Sequence, residues 1–229
     1  MSSIAENMRT IQDLIAAAAQ RVHRDPSSVR LVAVTKTIGQ ERIREAVAAG
    51  AMILGENRVQ EAREKITGLG PIASWHLIGH LQTNKAKFAV TLFYLIHSVD
   101  SLELARELSR QAEKHGKVQD ILIEVNVSGE ASKAGIGPDN AKDLIREVSK
   151  LSNIRVQGLM TIPPYSEDPE TSRPHFRRLR ELAQDITKEQ IPNVTMKELS
   201  MGMSGDFQVA VEEGATLVRV GTSIFGKRT

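Results

Sequence analysis

Eight short runs rich in Val, Ile and Leu punctuate this chain, at 29–35, 52–55, 75–79, 93–98, 121–127, 156–161, 198–201 and 216–220. Amphipathic stretches separate them, clearest at 40–49, 101–115, 140–151 and 171–189. A strand that reads as a continuous apolar run is covered on both faces, and helical crossovers join strands that run parallel. Two architectures meet that rule, an open doubly wound sheet and a closed (β/α)8 barrel. Eight units within 229 residues favour the barrel. An open sheet commonly carries G-x-G-x-x-G after its first strand, and that place here holds Thr35-Lys36-Thr37-Ile38-Gly39. The expectation is an α/β chain forming one (β/α)8 TIM-barrel domain over 1–229, with an extra N-terminal helix over 4–22. That helix would bury Ile4, Met8, Ile11, Ile15 and Ala18 on one face.

Charge and composition mainly exclude. Thirty Lys and Arg stand against 28 Asp and Glu, and no basic run concentrates the surplus, so a nucleic-acid partner is not indicated. The chain has no cysteine, which removes disulfides, thiolate metal sites and cysteine nucleophiles. Glu6 and Asp13 interrupt the N-terminal segment, unlike a signal peptide, and no apolar stretch nears the roughly 18–20 residues of a membrane span. A soluble, cytoplasmic protein is expected.

In a barrel of this kind the C-terminal ends of the strands carry the chemistry. Those positions are Lys36, Asn57, His80, Asp100, Asn126, Met160, the segment 200–205, and Arg219 with Gly221 and Thr222. Lys36 follows Leu31-Val32-Ala33-Val34 directly; partial desolvation there lowers a lysine pKa and frees the amine to attack an aldehyde. The alternative is an ammonium paired with Glu56. Phosphate sites in this fold use the loops after strands seven and eight with a helix N-terminus. Ser204-Gly205-Asp206 and Gly221-Thr222-Ser223 offer small residues and hydroxyls at both places, although Ser204 could instead cap the following helix. Arg219 is permanently charged and cannot accept a proton, so against a pyridine nitrogen it would keep that nitrogen unprotonated; otherwise it forms an ion pair across the mouth.

The remaining candidates are weaker. His76 and His80 are four apart but straddle a strand end, which spoils a helical two-histidine metal site. Asp100 reads as a helix cap, 130–137 as a mobile loop, and 162–169 as an exposed loop on the active face.

Several ordered blocks carry a resemblance: VAVTKT at 32–37, GENRVQE at 55–61, WHLIGHLQTNK at 75–85, HSVD at 97–100, EVNVSGEASKAG at 124–135, GLMTI at 158–162, ELSMGMSGDF at 198–207 and VRVGTSIFG at 218–226. The chain resembles the pyridoxal phosphate homeostasis protein family, whose fold is that of the alanine racemase N-terminal domain. The resemblance implies that Lys36 forms an internal aldimine, a Schiff base, with pyridoxal 5′-phosphate (PLP). It sets Ser200, Ser204, Gly205, Gly221 and Thr222 around the phosphate, Arg219 against the pyridine nitrogen, and Asn57 and Met201 along the ring. Thr35 stands where serine is frequent and Leu54 where phenylalanine is frequent.

Alanine racemases add a tyrosine base from a C-terminal β-domain, for which this chain has no room after the barrel. Its tyrosines are Tyr94, expected in strand four, and Tyr165, in the loop after strand six. The resemblance therefore implies a monomeric carrier or regulator of the PLP pool without established catalysis. Such a protein would influence amino-acid and keto-acid balance, with PLP-dependent apoenzymes as possible recipients. An amino-acid racemase is the first alternative. A Schiff-base aldolase, with Lys36 attacking substrate directly, is the second.

Overall fold

The computed structural model describes residues 3–130 and 133–226. Eight parallel strands close into a barrel in sequence order: β1 Arg30–Val34, β2 Ile53–Glu56, β3 Ser74–Leu77, β4 Leu95–Val99, β5 Gln119–Glu124, β6 Ile154–Met160, β7 Val194–Met203 and β8 Leu217–Val220. β1 pairs with both β2 and β8, and Val32 stands opposite Ile53 on one side and Arg219 on the other. A helix follows every strand: α2 Gln40–Ala48, α3 Val59–Leu69, α4 Ala86–Leu92, α5 Leu102–Lys114, α6 Pro138–Val148, α7 Arg173–Lys188, α8 Phe207–Glu212 and α9 Thr222–Phe225. The expected (β/α)8 barrel is therefore the fold.

The extra helix is also present, as α1 Ile4–Arg21. Its start is a capping box: Glu6 N–H donates to Ser3 Oγ and Ser3 N–H donates to Glu6 Oε2. Ile4, Met8, Ile11, Ile15 and Ala18 are all buried, as their spacing predicts, against α8, α9 and α2 on the outside of the barrel. Asn7 Nδ2 donates to the Ile224 carbonyl, and Arg24 just beyond α1 donates to those of Val211 and Ala215.

Two apolar cores result. The larger lies between barrel and helices. The smaller fills the barrel itself with Val32, Val34, Ile53, Ile78, Leu95, Leu122, Met160 and Leu217. Strand alternation decides which residues enter which core, and bulges reset it. In β6 the register slips between Val156 and Gly158. A Cβ at Gly158 would lie 1.8 Å from the Glu198 carbonyl oxygen, so β6 and β7 meet this closely only because that residue is glycine.

The boundaries differ from expectation where burial misleads. Phe93 is buried yet lies before β4, and Tyr94 precedes the strand rather than belonging to it, 63% exposed. β7 runs for ten residues, well beyond 198–201. Residues 131 and 132 of the expected loop 130–137 lie outside the described residues. No helix among the described residues is long and apolar enough to cross a membrane.

Candidate functional site at the C-terminal mouth

A cavity of about 280 Å³ opens at the C-terminal end of the barrel. Its walls bring together Lys36, Asn57, Ser204, Gly205, Arg219, Gly221 and Thr222, seven of the nine residues singled out in the sequence. Val34, Ile78, Ile162 and Pro164 supply an apolar side, and Tyr165 in the expected exposed loop reaches the rim at 91% exposure.

Lys36 is half-buried, two residues beyond β1, in a turn that Thr37 completes at φ 64°. The turn is clamped from α3. Lys65 Nζ donates to the Thr35 carbonyl (2.5 Å), Glu56 Oε1 (2.6 Å) and Glu61 Oε1 (2.7 Å). Thr35 Oγ1 donates to the same Glu56 oxygen, and the Thr37 N–H donates to Glu61. Glu56 thus has Lys65 as a cation partner. Burial raises the Glu56 carboxyl by more than its bonds with Lys65 and Thr35 lower it. Burial also raises the less buried Glu61, but there the bonds to Lys65 and Thr37 prevail and its pKa falls.

The opposite wall comes from β7, β8 and their loops. Gly202 at φ 88° forms a bulge, so that three steps along β7, from Ser200 to Met203, match two along β8. The slip inverts the alternation beyond Gly202, so that Met203 faces the side that Ser200 faces. Met201, expected along the ring, is fully buried in the outer core, and the methionine on the cavity wall is Met203. Ser204 does not cap α8, whose N-cap is Asp206; its Oγ accepts from the Gly221 N–H at 3.4 Å and so ties the two loops together. Asp206 receives the Met203 N–H and Ser172 Oγ–H. α9 begins at Thr222, directly on the cavity, and the first N–H groups of a helix have no acceptor within it.

Ser200, expected around the phosphate, lies beneath the cavity rather than on its wall. Arg219 Nη1 donates to Ser200 Oγ at 2.5 Å, and Nη2 donates to the Thr161 carbonyl at 2.9 Å. Ser200 Oγ is 2.9 Å from His97 Nδ1, and His97 Nε2 is 3.0 Å from His76 Nδ1. Burial lowers the Arg219 pKa to about 10 against the pull of Glu124 and Asp206, so the guanidinium keeps its charge at neutral pH. Burial likewise lowers His76 to about 3 and His97 well below the usual imidazole range, the latter helped by His76 and Arg219. Glu124, at the end of β5, is raised to about 7 by burial and by Asp100, against the pull of Arg219.

The histidines at 76 and 80 part company, since His80 is exposed. No cluster of three metal-ligating side chains exists among the described residues. Asp100 does not cap α5; Ser101 does, accepting from Leu104 N–H.

The alanine racemase N-terminal domain family matches residues 2–229. The pyridoxal phosphate homeostasis protein of Aquifex aeolicus is 47% identical over 224 residues, covering 97% of each chain. This chain belongs to that family. The homeostasis protein of Pseudomonas aeruginosa is 43% identical, over the whole of this chain and 97% of its own length. PipY of Synechococcus elongatus, solved with PLP bound, superposes with a TM-score of 0.85 at 38% identity, over 98% of this chain and all of its own.

Proposed function

We propose that this chain binds pyridoxal 5′-phosphate at the barrel mouth, with Lys36 as the covalent anchor, and serves the homeostasis of that cofactor in the cytoplasm. The observation that carries the proposal is one cavity that joins a half-buried lysine amine, a buried guanidinium and two hydroxyl-bearing loops. That donor set fits the cofactor's aldehyde, ring nitrogen and phosphate. When bound, pyridoxal phosphate supplies an aldehyde carbon that bonds to an amine and a conjugated ring able to draw electrons.

Lys36 holds the aldehyde carbon from the turn clamped by Lys65. The hydroxyls of Ser204 and Thr222, with the N–H groups of Gly205 and Thr222, receive the phosphate. Asn57 borders the ring. Arg219 can only donate, so it leaves the ring nitrogen unprotonated and the ring a weak electron sink. This combination favours holding and releasing the cofactor over turning substrate over. PLP-dependent apoenzymes are the proposed recipients, and the chain acts as a monomer.

A second reading, amino-acid racemisation, has one observation in its favour: the Tyr165 phenol reaches the cavity that holds Lys36. Solvent deuterium entering the α-position of an amino acid, at a rate dependent on both Lys36 and Tyr165, would establish it. The carrier reading is tested by adding PLP to purified protein. A visible absorbance band that forms in the wild type and not in Lys36→Ala supports it, and a colourless wild type overturns it.

A further inference from the structure

Arg219, on the cavity wall, is joined to the barrel interior by a series of buried side chains. Arg219, Ser200, His97 and His76 come from β8, β7, β4 and β3, and all four are 3% exposed or less. Their contacts form one unbroken series of 2.5, 2.9 and 3.0 Å. Residues buried so fully and aligned so closely have their hydrogen positions dictated by their partners.

Arginine has donors only, so the first contact runs from Nη1 to the Ser200 oxygen. The Ser200 hydrogen then has His97 Nδ1 before it. A bare Nδ1 gives that hydrogen its acceptor, and it places the proton of a neutral His97 on Nε2. Nε2–H donates in turn to His76 Nδ1, and His76 also carries its proton on Nε2. In this arrangement the three contacts point the same way, away from the cavity.

We propose that Ser200 and His97 are positioning residues for Arg219, a directional hydrogen-bond chain that fixes the plane of its guanidinium and leaves its remaining N–H groups aimed at the ring nitrogen of the bound cofactor. The chain takes Ser200 away from the phosphate and gives it a structural partner on either side. Neutral histidines suit the role: a proton added to His97 Nδ1 would remove the acceptor that orients Ser200 and set a cation beneath Arg219. The Thr161 carbonyl holds the other guanidinium nitrogen, so rotation about the arginine is blocked from two sides. This inference rests on the proposed function for what Arg219 faces, but the hydrogen-bond chain exists without the cofactor.

Nitrogen-15 NMR of the histidine side chains in cofactor-free protein tests the chain directly. His97 and His76 are expected as neutral Nε2–H tautomers at pH 7, with the His97 Nδ1 resonance moving in Ser200→Ala and staying in Ser200→Thr. An Nδ1–H tautomer at His97 would overturn the chain. PLP titration of the same proteins tests positioning. Ser200→Ala is expected to bind about tenfold or more weakly, as the loss of a bond to a charged group implies, with a displaced absorbance band. Ser200→Thr, which restores the hydroxyl, is expected to recover both. If Ser200→Ala keeps its thermal midpoint and binds with wild-type strength and band, the positioning role is overturned. A wild type that takes up no PLP at all overturns the proposed function instead, and the tautomers still decide the chain.

Discussion

Lys65 and Glu56 form a buried ion pair, Nζ to Oε1 at 2.6 Å, directly beneath the turn that presents Lys36. The pair belongs to the site without touching the cavity, because Lys65 also holds the Thr35 carbonyl and Glu61, and Glu61 holds the Thr37 N–H. Replacing Lys65 with methionine would leave Glu56 buried without its cation. Removing one partner of such a pair costs about 3–5 kcal/mol. We expect Lys65→Met to lose stability of that order in urea titrations, and Lys65→Met with Glu56→Leu to recover much of it.

Acid should weaken the fold through the buried histidines. His76 has a folded pKa of about 3, below the ordinary imidazole value of 6.5, so the unfolded chain binds the extra proton. Its contribution is complete above pH 6.5 and is lost as pH falls towards 3. The slope reaches about 1.4 kcal/mol per pH unit for each such group. Urea midpoints at pH 7, 6 and 5 should fall steadily in the wild type and less steeply in His76→Gln. Equal slopes would contradict the assignment.

Glu124 works in the opposite direction. Its folded pKa of about 7 lies above the ordinary 4.5, because burial and Asp100 oppose its charge more than Arg219 favours it. Its stabilising effect is full below pH 4.5 and is lost as pH rises through 7, where an ionised carboxylate must stay buried. Glu124→Gln should therefore exceed the wild type in stability above pH 7, by about 1–3 kcal/mol, with the advantage vanishing below pH 4.5. Thermal midpoints at pH 8 and pH 4.5 measure the difference.

The barrel was legible because eight apolar runs and their helices are local patterns, and closure follows once the strands are parallel and buried on both faces. Lys36, Arg219 and the two small-residue loops were legible for a related reason, since strand ends in this fold converge on one mouth. What escaped depends on register. Met201 turns outward beside the inward Ser200, and the Gly202 bulge then shifts the phase of β7 so that Met203 reaches the cavity wall. His97 and Ser200 are 103 positions apart, and only the closed sheet sets both inward at one height. Lys65 reads as an ordinary polar residue of an amphipathic helix, because its buried partner Glu56 comes from the preceding strand. In each case the missing information was the pairing of distant strands or the packing of a helix on its neighbour.

The central claim is that Lys36 anchors pyridoxal phosphate at the barrel mouth. Incubation with PLP, borohydride reduction and peptide mass spectrometry test it most directly, because reduction makes the attachment permanent and reports the residue that bears it. The account predicts a phosphopyridoxyl group on Lys36 and its loss in Lys36→Ala. An unmodified Lys36, or an adduct confined to other lysines, would contradict it.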